Sequence, residues 1–343
     1  MEPASTPLHL AARAEDAVQR FREARGRRRG LVPTIVPFTG YGGTGWVRVL
    51  GRIVLRRREQ DDGAGDDRFT GIRGWRSFTS VHVADARVTV TIGRTKREIR
   101  SDRGGVLDAR VDATLPPGWH EIRLSIEGGD SVSAQVFVVA DDVEFGLISD
   151  IDDTVMVTAL PRPFLAAWNT FVLDEHARTP VAGMAVLYER LVRAHPGLPV
   201  IYLSTGAWNV VPTLSRFLSR NLYPRGTLLL TDWGPTHDRW FRSGPEHKRS
   251  NLERLAREFP RVRWLLVGDD GQHDPQLYGD FAAAHPENVP AVAIRQLTTG
   301  QAVLAGGRSE PEPHAAATPW RYAPDGAGLS DQLTDLGLLP ALS

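Results

Sequence analysis

Asp150-Ile151-Asp152-Asp153-Thr154 is the segment whose residue types and spacing point most directly to chemistry. It follows the apolar run Phe145 to Ile148. Three carboxylates in four residues at the end of a buried strand are costly unless a cation neutralises them. A solvated acidic turn accounts for a polar loop, but not for one in that position. Carboxylates at i and i+2 can divide the work. One stays ionised as a nucleophile beside a metal, and the other serves as general acid and base. Three further pieces stand near later strand ends. Ser204-Thr205 closes the run Val200 to Leu203, and Gly268-Asp269-Asp270-Gly271 closes Trp264 to Val267, with Asp274 just beyond. Lys248 opens the helical pattern before that last strand. A cation in a first helical turn opposes the macrodipole by about 0.3–1 kcal/mol. The chain has only two lysines, Lys96 and Lys248, and otherwise uses arginine. A lysine supplies a compact point charge where a guanidinium fork does not fit. Lys96, between Arg94 and Arg97, reads as solvated. Taken singly, Ser204 is also an ordinary strand-end hydroxyl. Asp274, preceding Pro275, also suits a helix N-cap with proline at the first helical position.

The elements that must position these residues alternate from about Glu144 onward. Apolar runs at Phe145–Ile148, Val200–Leu203, Thr227–Leu230, Trp264–Val267 and Ala291–Ile294 are separated by helical patterns. One helix face carries Met184, Leu187, Leu191 and Val192, another Leu252, Leu255, Ala256 and Phe259. This alternation predicts an α/β domain with a doubly wound parallel sheet over 143–304, and such sheets hold ligands at the carboxyl ends of their strands. Residues 31–142 instead show short β-prone runs separated by Asp61-Asp62-Gly63, Pro116-Pro117-Gly118 and Gly128-Gly129-Asp130. That spacing predicts an all-β, sandwich-like domain. Gly40, Gly42 and Gly45 spell a G-x-G-x-x-G, but the β-prone segment that follows makes it a glycine-rich turn and not a dinucleotide site. Residues 1–30 read as an amphipathic helix, with Leu10, Ala14, Ala17, Val18 and Phe21 at helical spacing and a basic end at Arg25 to Arg29. That end is either a solvated surface or an arginine-rich contact to anionic lipid headgroups. Residues 305–343 read as a linker and a C-terminal docking segment. No internal repeat is present.

In this order, D-x-D-x-T, strand-end Ser/Thr, Lys and acidic G-D motif resemble the haloacid-dehalogenase-like phosphatases. More narrowly, residues 144–297 resemble the catalytic domain of the actin-patch-associated phosphatidate phosphatases. The matching stretches are Ser149 to Val155, Ala182 to Tyr188, Tyr202-Leu203-Ser204 with Trp208, Glu246-His247-Lys248, Phe259-Pro260, and Gly268 to Pro275 with Tyr278. A weaker likeness extends to Gly40-Tyr41-Gly42 and Gly51-Arg52. The chain departs from the family pattern at Ser204 to Trp208, where a Ser-Asn-Ser-Pro-Trp-like run is expected, and at Asp270, where a serine is expected. The resemblance implies Mg²⁺-dependent hydrolysis of phosphatidate, a lipid phosphomonoester, to diacylglycerol and phosphate. In that scheme Asp150 is the nucleophile and Asp152 the general acid and base. Thr154 holds the turn. Ser204, Thr205 and Lys248 bind phosphate oxygens. The metal set is Asp150, Asp152 through its backbone carbonyl, Asp269 and Asp274, with Asp270 a further candidate. His247 and His273 are expected behind these ligands. The alternatives are the same chemistry on a soluble phosphomonoester, or a non-catalytic lipid-binding module.

Composition narrows the partners. The chain has 343 residues, with 41 Lys+Arg against 41 Asp+Glu. A net charge of zero gives no argument for a nucleic-acid partner. Without cysteine there is no disulfide, thiolate nucleophile or cysteine-bound cluster. No run reaches the roughly 18 apolar residues of a membrane span, and residues 1–30 lack the apolar core of a secretory leader. These features predict a cytoplasmic protein able to sit peripherally at a membrane; the resemblance implies phosphatidate or a related phospholipid as its partner, and the sequence leaves the oligomeric state open. Trp168, Trp208, Trp233 and Trp240 fall just after the strand ends, accompanied by Leu160, Phe164, Leu165, Phe171 and Phe241. These rings either meet a lipid interface or pack the rim of the site.

Overall fold

The structure, a computed structural model, describes residues 7–58, 81–157, 179–231, 244–271, 273–304, 307 and 318–341, with side chains from residue 17 onward. The chain divides into two units. The first comprises Met1–Val138, Ala207–Asn209 and Thr231–Ser243, the second the remainder.

In the first unit, helix α1 (Pro7–Arg28) precedes seven strands. They are β1 (Leu31–Gly43), β2 (Trp46–Arg57), β3 (Arg87–Ile92), β4 (Thr95–Arg100), β5 (Val106–Asp112), β6 (Gly118–Ile126) and β7 (Val132–Val139). They form a single seven-stranded sheet in the order β4-β3-β6-β7-β1-β2-β5. The pairs β1–β2, β2–β5, β3–β4, β3–β6 and β6–β7 are antiparallel. Alternation of side chains along each strand sends one set inward. On β3 that set is Val88, Val90 and Ile92, which join Ile53, Leu107, Ile122, Leu124, Val136 and Val138 in one core. Gly40 and Gly42 lie in β1 and Gly45 in the turn before β2. The G-x-G-x-x-G is thus part of a hairpin, and no helix follows it. Trp208, which groups with this unit, is buried and stacks on Phe38 with ring centroids 5.0 Å apart. Packing therefore accounts for that tryptophan. Trp168, Trp233, Trp240 and the apolar residues that accompany them lie outside the described residues.

The second unit is built on a six-stranded sheet in the order β12-β11-β8-β13-β14-β15. Its strands are β8 (Phe145–Ser149), β11 (Val200–Ala207), β12 (Thr227–Thr231), β13 (Arg263–Asp269), β14 (Val292–Arg295) and β15 (Trp320–Ala323). Pairings β8–β11, β8–β13, β13–β14 and β14–β15 are parallel. Every residue of β8, β12 and β14 is buried, which is why these strands read in the sequence as unbroken apolar runs. The helices are α2 (Met184–Ala194), α3 (Val211–Arg220), α4 (Gly244–Glu258), α5 (Asp274–Ala284), α6 (Thr299–Leu304) and α7 (Gly326–Asp335). A small two-stranded sheet pairs β9 (Met156–Val157) with β10 (Thr179–Pro180). The order reverses at β8, the first strand, which has β11 on one side and β13 on the other. Open parallel sheets hold ligands in the crevice at such a reversal.

The C-terminal segment is more than a docking appendage. β15 completes the sheet, and α7 packs closely on α2. Gly326 donates its N–H to Ala182 O at 2.9 Å, and a Cβ on Gly326 would lie 2.2 Å from the Gly183 carbonyl carbon. Gly183 itself has φ 72°, which favours glycine. Arg190 on α2 donates to Ser330 Oγ, and to Pro340 O at 2.7 Å.

Candidate active site

The acidic loop begins where β8 ends. Asp150 donates its N–H to Val267 O of the neighbouring β13 at 2.9 Å, which fixes it at the strand end. The chain then turns tightly. Val155 N–H reaches Ile151 O at 2.9 Å, and Asp153 N–H reaches Met156 O at 2.8 Å. Asp153 takes a left-handed φ of 57°, a conformation that Asp tolerates better than most residues. Beneath the loop, Ser149 Oγ donates to Asp150 O at 2.6 Å and meets Tyr188 OH at 2.5 Å. Tyr223 OH donates to Val155 O at 2.8 Å, and Tyr278 OH to Val267 O at 3.1 Å. Buried hydroxyls thus tie backbone carbonyls of the loop and of β13 in place.

Three later segments converge on Asp150. Lys248, in the second turn of α4 and not the first as its sequence position suggests, is 6% exposed and lies 2.6 Å from Asp150 Oδ1 and 2.6 Å from Asp274 Oδ1. Asp269, the last residue of β13, is buried and accepts from Gly271 N–H at 2.7 Å. Carboxylate oxygens of Asp150, Asp269 and Asp274 all lie within 4.8 Å of one another. Gly268 permits this approach, because a Cβ there would stand 2.6 Å from Asp274 Oδ2 and 2.7 Å from Tyr278 Cε2. Asp274 is not the N-cap of α5. His273 occupies the cap position, and the Asp274 carboxylate faces Lys248.

Asp152, half-buried, points elsewhere in the site. Ser204 Oγ donates to Asp152 Oδ2 at 3.1 Å and accepts from Gly206 N–H at 3.0 Å. β11 continues past the expected strand end at Ser204-Thr205 to Ala207, and Thr205 lies beside Gly244, where a Cβ would stand 2.6 Å from Thr205 Cγ2, so the residue that opens α4 lets Thr205 come close. Thr154 Oγ1 is buried with no hydrogen-bond partner among the described residues, so the expected side-chain tether of the turn is absent there. Asp270 is engaged outside the carboxylate cluster, its Oδ1 accepting from Leu297 N–H at 2.8 Å. His247 is buried on α4, where its backbone carbonyl accepts from Asn251 Nδ2 at 2.9 Å.

The electrostatics follow from this crowding. Burial pushes the Asp150 carboxyl well up; Lys248 opposes the shift, and Asp274, Asp152 and Asp269 add to it. Burial also raises Asp269, to about 8, with Asp274 and Asp153 adding to the shift and Lys248 and the Gly271 N–H opposing it. Burial disfavours the charge on Lys248, but Asp150 and Asp274 outweigh that and raise its pKa. Asp274 Oδ2 is buried without a hydrogen-bond partner among the described residues. One buried cation therefore faces three buried carboxylates, and an acceptor oxygen is left over. That arrangement suits a further hard cation.

Arg295 is a site residue that the sequence reading did not single out. It ends β14, is 5% exposed, and donates from one Nη to Asp153 O at 2.6 Å. The same guanidinium donates to Pro324 O at 3.3 Å and Gln301 Oε1 at 2.9 Å. Burial lowers its pKa, while Asp153, Asp269 and Asp270 hold it up. In the sequence its one signal is an arginine closing an apolar run, in a chain where arginines are common.

The comparisons with known proteins bear on this same segment. Residues 145–296 match the family model for phosphatidate phosphatase APP1, catalytic domain. An uncharacterised protein of Schizosaccharomyces pombe is 27% identical over 160 residues, 46% of this chain and 26% of that protein. Phosphatidate phosphatase APP1 of Saccharomyces cerevisiae is 25% identical over 151 residues, 44% of this chain and 25% of that protein. The matched stretch is thus about a quarter of the length of either relative. Among solved structures, a carbohydrate acetylesterase from Xanthomonas citri aligns over 80% of this chain and 73% of its own at 10% identity. Its TM-score of 0.28 is too low to carry an argument about the fold. Family match and carboxylate–lysine cluster fall on the same residues: the segment that matches the phosphatidate phosphatase APP1 catalytic-domain model is the one that brings Asp150, Lys248, Asp269 and Asp274 together.

Proposed function

We propose that the protein is a Mg²⁺-dependent phosphatidate phosphatase that works through an aspartyl-phosphate on a haloacid-dehalogenase-like, doubly wound domain. The observation that carries this reading is the convergence of Asp150, Asp269 and Asp274 on Lys248 at the ends of β8 and β13, with Asp152 held by Ser204 two residues along the loop. Phosphoryl transfer requires positioning and charge neutralisation more than elaborate covalent chemistry.

Lys248, with the added positive charge of a bound Mg²⁺, opposes the burial that raises Asp150 and holds its carboxylate ionised, so that a carboxylate oxygen attacks phosphorus in line. The new Asp150–phosphorus bond forms as the bond to the ester oxygen breaks. Asp152, entering protonated, gives its proton to the departing alkoxide, which leaves as the hydroxyl of diacylglycerol. Asp152 then takes a proton from water as that water attacks phosphorus. The Asp150–phosphorus bond breaks, phosphate leaves, and both carboxyls return to their starting states. Ser204, Thr205 and Lys248 bind the phosphoryl oxygens. The Ser204–Asp152 bond holds the acid in place before substrate enters, and the one Ser204 proton then turns to a phosphoryl oxygen.

The donor set fits Mg²⁺. Asp150, Asp269 and Asp274 offer hard carboxylate oxygens, one of them the unpartnered Asp274 Oδ2, and the Asp152 carbonyl is the further candidate. When bound, Mg²⁺ supplies positive charge opposite the non-bridging oxygens. No helix among the described residues is long and apolar enough to cross a membrane, so a peripheral encounter with the lipid is the mode proposed.

The test is phosphate release from phosphatidate in detergent micelles and from a soluble aryl phosphate, with Mg²⁺ or with EDTA. The expected result is turnover of phosphatidate that EDTA abolishes and Mg²⁺ restores, lost in Asp150→Asn with an unchanged melting temperature. Activity that survives exhaustive chelation, or a fully active Asp150→Asn, overturns the proposal. Turnover of the aryl phosphate alone keeps the mechanism and refutes the lipid substrate.

A further inference from the structure

The first unit carries an outward face that its own core leaves unused. On α1, Gln19 Nε2 donates to His82 O at 2.8 Å, and Gly26 is buried against Leu55, where a Cβ would stand 2.7 Å from Leu55 Cδ1. With about 3.6 residues per turn, Gln19, Glu23 and Gly26 share one side of the helix. The same rotation groups Val18, Phe21, Arg25 and Arg28 within an arc of roughly 80° that faces away from it, with Arg22 at the edge of that arc. Val18 is 50% exposed and Phe21 66%, and the three arginines, with Arg29 just beyond, are exposed too. Helical spacing of the apolar residues predicts that this stripe packs inward. The structure instead seats the Gln19–Gly26 side on the sheet and leaves the stripe in solvent. Glu23 is the single acidic residue between Ala17 and Arg28, and it is paired with Arg27 at 2.9 Å, outside the arc.

We propose that this face of α1 docks the protein on an anionic lipid surface, a reading that rests on the lipid substrate proposed above. An aliphatic and an aromatic side chain one turn apart, flanked by guanidiniums and by no carboxylate, match a bilayer interface. The apolar pair inserts among the acyl chains, and the arginines stay at the level of the headgroup phosphates. The face is convex, one side of a helix without a groove, which suits a surface better than a folded acidic partner. It would hold the enzyme where its substrate lies.

The experiment is co-sedimentation of the full chain with vesicles of phosphatidylcholine alone, or with about 30 mol % of the non-substrate phosphatidylserine, at low and high salt. The expected result is salt-sensitive binding to the anionic vesicles only. Val18→Ser with Phe21→Ser should weaken it at least tenfold. Arg22→Gln, Arg25→Gln and Arg28→Gln should each weaken it about fivefold. All these positions are exposed, and hydrolysis of the soluble aryl phosphate should stay at the wild-type rate. Wild-type binding that ignores lipid charge, variants that bind like wild type, or release from vesicles by an acidic protein that takes the same face each overturn the proposal. The two readings separate cleanly. An inactive protein that still binds refutes the activity, and an active one that does not bind refutes the docking face.

Discussion

Replacing Asp269 by asparagine should stabilise the metal-free protein and reverse part of its pH dependence. Asp269 is 4% exposed, and its carboxyl is raised from 3.8 to about 8 by burial first, then by Asp274. The sign follows from proton linkage. Between pH 4 and 8 the folded state holds a proton that the unfolded chain has lost, so stability falls as pH rises through that window. Above about 8 both states are ionised and the penalty is constant. Each pH unit in the window costs about 1.4 kcal/mol, or about 4 kcal/mol by pH 7 for an isolated group. Coupling to the buried Asp150 spreads the effect, so a gain of about 2–4 kcal/mol is the expectation for Asp269→Asn at pH 7. Asparagine keeps the acceptor for Gly271 N–H and turns an amide donor toward the remaining carboxylates. At about 2–4 °C per kcal/mol for a domain of this size, melting should rise by at least about 4 °C. The assay is thermal and denaturant unfolding in EDTA from pH 5 to 9. Wild type should lose stability from pH 5 up to about 8 and then level off, and the variant should lose markedly less. Adding Mg²⁺ should stabilise wild type most at the alkaline end and should do far less for the variant. An Asp269→Asn protein that is less stable than wild type, with the same pH slope, would refute the reasoning.

Two further outcomes follow from the loop. Asp152→Asn should slow hydrolysis of an alkyl phosphate by at least about a hundredfold and of an activated aryl phosphate far less, because a good leaving group needs little protonation. Equal losses on both, measured as kcat, would count against Asp152 as the acid. Arg295→Gln should cost about 3 kcal/mol in urea unfolding, since the carbonyl of Asp153 loses a buried charged donor. Its kcat should fall more on the alkyl than on the aryl substrate, with KM little changed, because the loop that carries Asp152 loosens. Arg295→Lys should recover part of the stability and little of the kcat, as a point charge cannot serve Asp153, Pro324 and Gln301 together.

Local pattern was enough to pick out the carboxylates and the lysine that the fold brings together, and the strands that hold them. The runs at Phe145, Val200, Thr227, Trp264 and Ala291 became β8, β11, β12, β13 and β14, because strands buried on both faces must be apolar throughout. Asp150, Asp152 and Asp269 stood out because charge at the end of such a run is costly and demands a reason, Asp274 because it lies just beyond, and Lys248 because it is one of only two lysines. What spacing cannot encode is which distant groups share a charge. That Lys248 bridges Asp150 and Asp274, 98 and 26 residues away along the chain, depends on α4 and α5 packing beside β13. The same limit hid Arg295, which reaches the carbonyl of Asp153 across 142 residues. It also hid the C-terminal strand, whose short sequence Trp320–Ala323 becomes part of the sheet only because β14 offers it an edge. It turned the apolar stripe of α1 outward, since periodicity tells which residues share a face but not which face meets the core. Periodicity and charge spacing are local and belong to the sequence by itself; partner choice across the chain, and the side a helix presents, were decided by packing in the tertiary structure.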